Sequence, residues 1–311
     1  MTRETVLFPS ALKGETIKGY FFAPRGEPCA IVQISHGMMD HIGRYGELIE
    51  ALNEAGFAVV GNDHLGHGET AVDVSRERLD KSRLGHFGPY GARRYLVEDL
   101  HTMSRLSRER FPGVPLFLLG HSMGSFVARL YAERYGKELR GLILLGTAAR
   151  WWWTAFGGIV APTVSCLCGE EHRGKLLTTL TFGRFHRPFR DEKSHMAWLT
   201  SDVSQRTSDP LCRFRFTASA YRDLYAMMRE MNRPAWFSSL PEGLAVLLAS
   251  GTMDPLGNYG KGILRLASSL RRSSRVRLMV KLYEGARHEL HHERCRAEFF
   301  SDLTAFLHRE L

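Results

Sequence analysis

The sequence predicts an α/β fold: a mostly parallel, eight-stranded sheet with helices on both faces. Three observations carry that prediction. Short apolar runs of strand length recur along the chain, and amphipathic stretches of helical length lie between them. A Gly-x-Ser-x-Gly turn also follows one of the runs and opens a helical pattern. Continuous apolar runs suit strands covered on both faces, and strand–helix alternation implies parallel pairing.

In chain order, Thr5–Phe8 and Thr16–Phe22 read as an antiparallel hairpin on one edge. The central runs are Ala30–Ser35, Phe57–Asn62, Pro115–Gly120, Gly141–Leu145, Leu244–Ser250 and Val276–Leu282, each rich in Val, Ile, Leu or Phe. Helical patterns occupy Tyr45–Ala55, Ala92–Arg110, Met123–Tyr135, Gly260–Leu270 and Glu293–Leu307. The alternation breaks between about Ala148 and Ala235, a stretch rich in aromatics, Arg, Thr and Ser with no convincing buried strand. A mainly helical insertion over 148–235 is expected there, with 1–147 and 236–311 forming the core. The 311 residues, 44% hydrophobic and 24% charged, suffice for one such domain carrying an insertion.

The insertion opens on Trp151-Trp152-Trp153 and runs to Cys168 without a charge, eighteen residues in all. That length raises a membrane-spanning reading. Gly157, Gly158, Pro162 and the absence of a second span favour a buried or interfacial helix instead. The N-terminus lacks an apolar run of signal-peptide length, which predicts a cytoplasmic protein. Five scattered cysteines, Cys29, Cys166, Cys168, Cys212 and Cys295, are expected to be free thiols. The net charge of +9 is concentrated in 261–281, with seven Lys/Arg and no acid, and in the insertion, which carries +5. Solvated surface and peripheral contact with an anionic membrane are both consistent with this. No nucleic-acid-binding motif accompanies the charge, so that class is set aside.

The strongest chemical signal is Gly120-His121-Ser122-Met123-Gly124, placed after a strand and before a helix. A serine there sits on a strained turn, and side chains at the flanking glycines would collide. The hydroxyl stands clear of the sheet, while the helix N-terminus offers N–H groups to a developing oxyanion. A serine is a poor nucleophile until a base removes its proton. In the order acid then histidine, Asp254 follows the run Leu244–Ser250 and His288 follows Val276–Leu282. The alternatives are His291 and His292, read as surface positions of the next helix, and Glu284 or Glu289 in place of Asp254. One oxyanion N–H is expected from Met123. The other is expected from Met38, in the loop Ser35-His36-Gly37-Met38. His36 is read as a loop-fixing residue. Asn62-Asp63-His64-Leu65-Gly66-His67-Gly68 is read as a turn stapled by its side chains, with metal binding the less favoured alternative.

These pieces together resemble the monoglyceride lipase and lysophospholipase-like serine hydrolases of the α/β-hydrolase superfamily, which share a serine aminopeptidase S33-type domain. The matching segments are SHGMMDHIGRY (35–45), NDHLGHGET (62–70), LGHSMGSFVARLYAERY (119–135), SGTMDPLGNYGKG (250–262) and YEGARHEL (283–290). Within the insertion, SDPLCRFRFTASAYRDLY (208–225) is similar to a segment of bacterial members. The resemblance implies Ser122, Asp254 and His288 as a triad, Met38 and Met123 as oxyanion donors, and a cap over the site. It also implies small-molecule acyl esters with a lipid-like chain as substrates. No metal or cofactor is implied. The aromatic, basic insertion departs from the family's pattern, and Trp151 and Trp152 are the expected contacts for acyl chain and lipid surface. A peptidase of the same superfamily is the competing reading, for which the acids Glu170, Glu171, Asp202 and Asp209 offer candidate amine ligands. A dehalogenase or epoxide hydrolase would need Asp at position 122. A non-catalytic binding protein ranks last, because all three triad residues are present.

Overall fold

The computed structural model describes residues 2–72, 82–148 and 153–311. Its centre is one sheet of β1 (Thr2–Pro9), β2 (Thr16–Ala23), β3 (Ala30–Ser35), β4 (Phe57–Asn62), β5 (Leu116–His121), β6 (Gly141–Leu145), β7 (Ala245–Gly251) and β8 (Arg277–Tyr283). The spatial order is β1-β2-β4-β3-β5-β6-β7-β8. The β1–β2 and β2–β4 pairs are antiparallel, and every later pair is parallel. The helices are α1 (Gly46–Glu54), α2 (Arg93–Arg110), α3 (Met123–Tyr135), α4 (Trp153–Cys168), α5 (Lys175–Phe182), α6 (Ser204–Ser208), α7 (Ala218–Glu230), α8 (Pro234–Ser239), α9 (Lys261–Ser273) and α10 (Arg296–Arg309).

The apolar runs do what their composition requires. In β5, Leu116 and Leu118 enter one core layer while Phe117 and Leu119 enter the other. β6 repeats this with Leu142 and Leu144 against Ile143 and Leu145. Period-two alternation within an unbroken apolar run therefore fills both faces of the sheet. The strand β8 departs from the expectation for Val276–Leu282. It is the sheet edge, and Arg277 to Leu282 are exposed or half-buried. Charges occupy that edge instead: Arg277 pairs with Glu310 at 2.7 Å and Lys281 with Asp302 at 2.9 Å.

From β3 the chain passes through α1 to β4, then returns through α2 to β5 on the other side of β3. Strand order reverses there, which opens a crevice beyond the carboxyl ends of β3 and β5.

Between β6 and β7 the described residues form helices α4 to α8 and no strand. Helix α4 contains Pro162 and buries Gly157, Ala161 and Ser165 at four-residue spacing, a small-residue face that packs on α7. Its other side leaves Phe156, Ile159 and Leu167 exposed. Helix α8 crosses the expected boundary at 235. It packs against α3 and α9, with Trp236 fully buried and donating its indole N–H to the Arg129 carbonyl at 2.6 Å. Trp151 and Trp152 lie outside the described residues. None of the helices in the described residues is long and apolar enough to cross a membrane.

Candidate active site

Ser122 joins β5 to α3 with φ 54° and ψ −121°, a backbone conformation that side-chain-bearing residues rarely adopt. Such a residue costs on the order of 1–3 kcal/mol and persists only where its surroundings enforce it. They do so here. The Ser122 N–H donates to the Leu145 carbonyl at 2.9 Å, and the Ser122 carbonyl accepts from the Ser125 N–H at 2.9 Å. A Cβ on Gly124 would lie 2.0 Å from the Ser35 carbonyl oxygen, and one on Gly120 would lie 2.6 Å from the Gly124 oxygen. Both glycines are therefore required by close backbone approach.

Asp254 follows β7 and His288 follows β8, and the sheet brings them together across 34 residues of sequence. His288 Nδ1 lies 2.9 Å from Asp254 Oδ2, both side chains being buried. Asp254 is itself held, accepting from the Leu256 N–H at 2.8 Å and the Ser250 hydroxyl at 3.3 Å. The other ring nitrogen of His288, Nε2, is buried without a partner among the described residues. What sets it apart from the other unpartnered ring nitrogens is that its residue is held by an acid and lines the same cavity as Ser122, Met38 and Met123. Met123 opens α3, so its N–H has no intrahelical acceptor.

The alternative acids and bases sit elsewhere. Glu284 is exposed. Glu289 is buried, but its carboxylate accepts from Arg44 Nη2 at 2.8 Å and from Arg206 Nη1 at 2.6 Å rather than from the histidine. Arg44 also donates to Asp40 at 2.9 Å. Burial alone would raise both acids, but Arg44 overrides it and, with Arg206, holds each carboxyl below its usual range. The result is a buried, charge-balanced quartet of Asp40, Arg44, Glu289 and Arg206.

His291 corrects the expectation of a surface position. Residues Leu290–His292 form a separate 3-10 turn, and α10 starts only at Arg296. That turn tucks His291 inward, where its ring stacks on Tyr45 with centroids 4.6 Å apart and planes 11° apart. Burial holds its pKa well below the ordinary histidine value. His292 is half-buried rather than exposed, and burial lowers its pKa as well.

The loop after β3 is fixed from below. His36 Nδ1 donates to the Gly37 carbonyl at 2.9 Å, and its Nε2 accepts from the His64 N–H at 2.9 Å, which sets its tautomer. Asp63 staples the turn after β4, accepting from the Ile42 and Glu69 N–H groups at 2.9 and 2.7 Å and from the Tyr20 hydroxyl at 2.9 Å. Burial pushes His64 and His67 down to about 3, so both rings are neutral.

Side chains of metal-binding type also approach one another in Asp40–His121–His291 and His41–Asp209–Cys212. Several of these groups are already engaged, although both ring nitrogens of His291 have no partner among the described residues. His41 Nε2 lies 2.7 Å from Asp209 Oδ2, the Tyr45 hydroxyl bonds both Asp40 and His121 at 2.9 Å, and burial pushes the Cys212 thiol up to about 12.

Most of the remaining cavity wall is apolar: Phe126, Phe182, Phe185, Leu224, Met228 and Leu256, together with Trp198. The Trp198 ring stacks on Phe182 at 5.7 Å and lies 5.0 Å from His288. The sequence offered no signal to separate Trp198 from the other aromatics around it. The acids Glu170, Glu171, Asp202 and Asp209 do not line the cavity. Glu170 pairs with Arg222 at 2.7 Å, and Asp209 holds His41.

A family model described as serine aminopeptidase, S33 (Hydrolase_4) matches residues 26–295. The chain is similar to the monoglyceride lipase of Mus musculus, at 29% identity over 278 residues, covering 88% of this chain and 80% of that protein. Among solved structures it is similar to a highly thermostable carboxyl esterase from Bacillus coagulans in complex with glycerol. That match has 29% identity, a TM-score of 0.91 and 99% coverage of each chain. It is also similar to a lipase in an open form, with 27% identity, a TM-score of 0.90 and 99% coverage of each chain.

Proposed function

The chain belongs to the serine aminopeptidase S33 family of α/β-hydrolases, and we propose that it is a serine carboxylic ester hydrolase acting on acyl esters of monoacylglycerol or lysophospholipid type. Ser122 Oγ adds to the ester carbonyl as His288 Nε2 takes its proton, and Asp254 holds the imidazole in the tautomer that leaves Nε2 free to accept. The N–H groups of Met38 and Met123 receive the oxyanion. The intermediate collapses to an acyl-enzyme as the alcohol departs with the proton from His288. Water, deprotonated by the same histidine, then releases the acid.

The observation that carries this reading is the buried, acid-held His288, whose free ring nitrogen belongs to the same cavity wall as Ser122. An apolar cavity rewards an acyl chain at roughly 0.8 kcal/mol per buried CH2. The names of the mouse and Bacillus coagulans relatives support an ester, and glycerol in the latter's structure fits a small polyol leaving group.

A peptidase acting on free N-termini is the second reading, which the family's description raises. Such a substrate needs an unpaired carboxylate for its ammonium. The carboxylates among the lining residues, Asp40 and Glu289, are already neutralised by Arg44 and Arg206. That favours the ester. The deciding measurement is a chain-length series of nitrophenyl esters run beside monoacylglycerol, lysophospholipid and aminoacyl amides. Long-chain acyl esters are expected to lead, and a preference for the amides would overturn the assignment.

We further propose that residues 148–235 form a cap that meets an anionic lipid surface. Helix α4 leaves Phe156, Ile159 and Leu167 exposed, and Leu176 of α5 is exposed as well. Apolar side chains gathered on one segment mark an interaction surface. The basic block 261–281 adds less than its charge suggests. Arg275, Arg277 and Lys281 are paired with Glu242, Glu310 and Asp302, which leaves Lys261, Arg265, Arg271 and Arg272 without a carboxylate among the described residues.

A further inference from the structure

Arg206 comes from α6, a short helix of the segment proposed as the cap, and its guanidinium is buried at the edge of the catalytic cavity. It makes three hydrogen bonds to two loops. Nη2 donates to the carbonyls of Met38 and Met39, both at 2.9 Å, and Nη1 donates to Glu289 Oε1 at 2.6 Å. Met38 is the proposed oxyanion donor, and Glu289 directly follows the proposed base His288. Met39, at φ 52°, is the one residue besides glycine with positive φ in the loop 36–41. A left-handed residue with a side chain costs about 1–2 kcal/mol and relaxes unless it is held. Arg206 grips the carbonyls on both sides of that residue's backbone torsions.

We infer that Arg206 is a positioning residue. It sets the Met38–Met39 loop so that the Met38 N–H meets the oxyanion, and it ties that loop and the His288–Glu289 loop to α6. The inference rests on the proposed serine mechanism. It adds that formation of the oxyanion hole depends on a side chain from outside the sheet domain. When α6 departs, the Met38 and Met39 carbonyls lose their donor, Glu289 keeps only Arg44, and the strained residue is released. Arg206 touches no reacting atom. Its effect therefore belongs to the transition state and not to ground-state binding of the acyl chain.

The test uses Arg206→Lys and Arg206→Met in the full chain, with an alkylboronic acid as transition-state analogue and the free fatty acid as ground-state ligand. The boronic acid adds Ser122 Oγ to trigonal boron, the serine proton passes to His288, and a boronate oxygen takes the oxyanion's place. Lysine retains a charge for Glu289 but cannot reproduce the planar fork that reaches both carbonyls. Both variants are expected to lose about 10- to 100-fold in kcat, the scale of an ångström-sized misplacement. Boronate affinity should fall by the same factor, while KM and fatty-acid affinity stay within about threefold of wild type. Retention of wild-type kcat would overturn the inference, as would fatty-acid binding that weakens as much as boronate binding, since that marks general loosening of the cavity. Should Arg206→Met fail to fold, Arg206→Lys decides. Boronate binding that survives Ser122→Ala would instead overturn the serine mechanism, a failure distinguishable from failure of the Arg206 role.

Discussion

His288 Nδ1 lies 2.9 Å from Asp254 Oδ2, two side chains that reach each other only because β7 and β8 are neighbours in the sheet. If this pair activates Ser122, Ser122→Ala abolishes both ester hydrolysis and labelling by a fluorophosphonate, with kcat falling by about 10⁴-fold or more. Asp254→Asn leaves the fold in place but favours the wrong imidazole tautomer, and a loss of the same order is expected. Labelling that persists in Ser122→Ala would remove the serine from its role.

The three histidines of the segment between β8 and α10 separate by environment. His288→Ala is expected to lose nearly all activity, and because its ring is buried against Asp254 it should also lower the melting temperature. His291→Ala deletes a buried ring stacked on Tyr45, so it should destabilise the protein by about 2–3 kcal/mol in a thermal melt. His292→Ala, half-buried, should retain most of both. Equal loss of kcat in all three would show that the base has been misassigned.

Burial raises the carboxyl of Asp99 from 3.8 to about 6, against the pull of the Ala11 N–H and the Ser10 hydroxyl. The folded state thus binds more protons than the unfolded state between these values. Stability falls as pH rises from about 4 to 6, and the deficit persists above. Asp99→Asn removes the titration. Relative to wild type it should gain on the order of 2 kcal/mol in denaturant midpoint experiments on moving from pH 4 to pH 7.5. A difference that is flat across that range would contradict the assignment.

Adjacent glycines of α4 should respond in opposite directions. A Cβ on Gly157 would meet the Tyr225 ring at 2.2 Å, whereas one on Gly158 meets nothing within 4 Å. Gly158→Ala is expected to stabilise by up to about 1 kcal/mol through helix propensity. Gly157→Ala should destabilise by about 1–3 kcal/mol by forcing α4 off α7, unless the ring turns aside. Thermal melts of the two variants check this directly.

Contact of the proposed cap with lipid is tested by Phe156→Ser combined with Ile159→Ser, beside Trp151→Ser combined with Trp152→Ser. The first pair is exposed, so activity on soluble short-chain esters should be unchanged while activity on vesicle-borne long-chain esters falls severalfold. Vesicle binding should also weaken as salt rises. Equal loss on both substrate types would assign these side chains to packing.

Much of the fold was legible because it rests on local rules. Runs such as Pro115–Gly120 and Gly141–Leu145 hold enough apolar surface to demand cover on both faces, and β5 and β6 lie there within a residue. The glycines around Ser122 announced a turn where no side chain fits. His36 was legible as a fixing residue because it stands beside Gly37 at a strand end. The run 276–282 misled because its Arg277 and Lys281 mark an edge strand, which composition alone does not distinguish from a central one. His291 misled because it was read as part of the helix that follows, whereas it belongs to a separate 3-10 turn before that helix and stacks on Tyr45.

By itself, the sequence determined the strand–helix alternation and the strained serine turn. Each depends on neighbours within about ten residues, where propensity and sterics decide. Only the tertiary structure decided that Glu289 belongs to Arg44 and Arg206, that Trp198 walls the cavity beside His288, and that a residue of α6 grips the loop after β3. Those pairings span from 83 to 245 residues of chain. A buried charge must find its partner wherever folding places one, so spacing along the chain carries no record of the match.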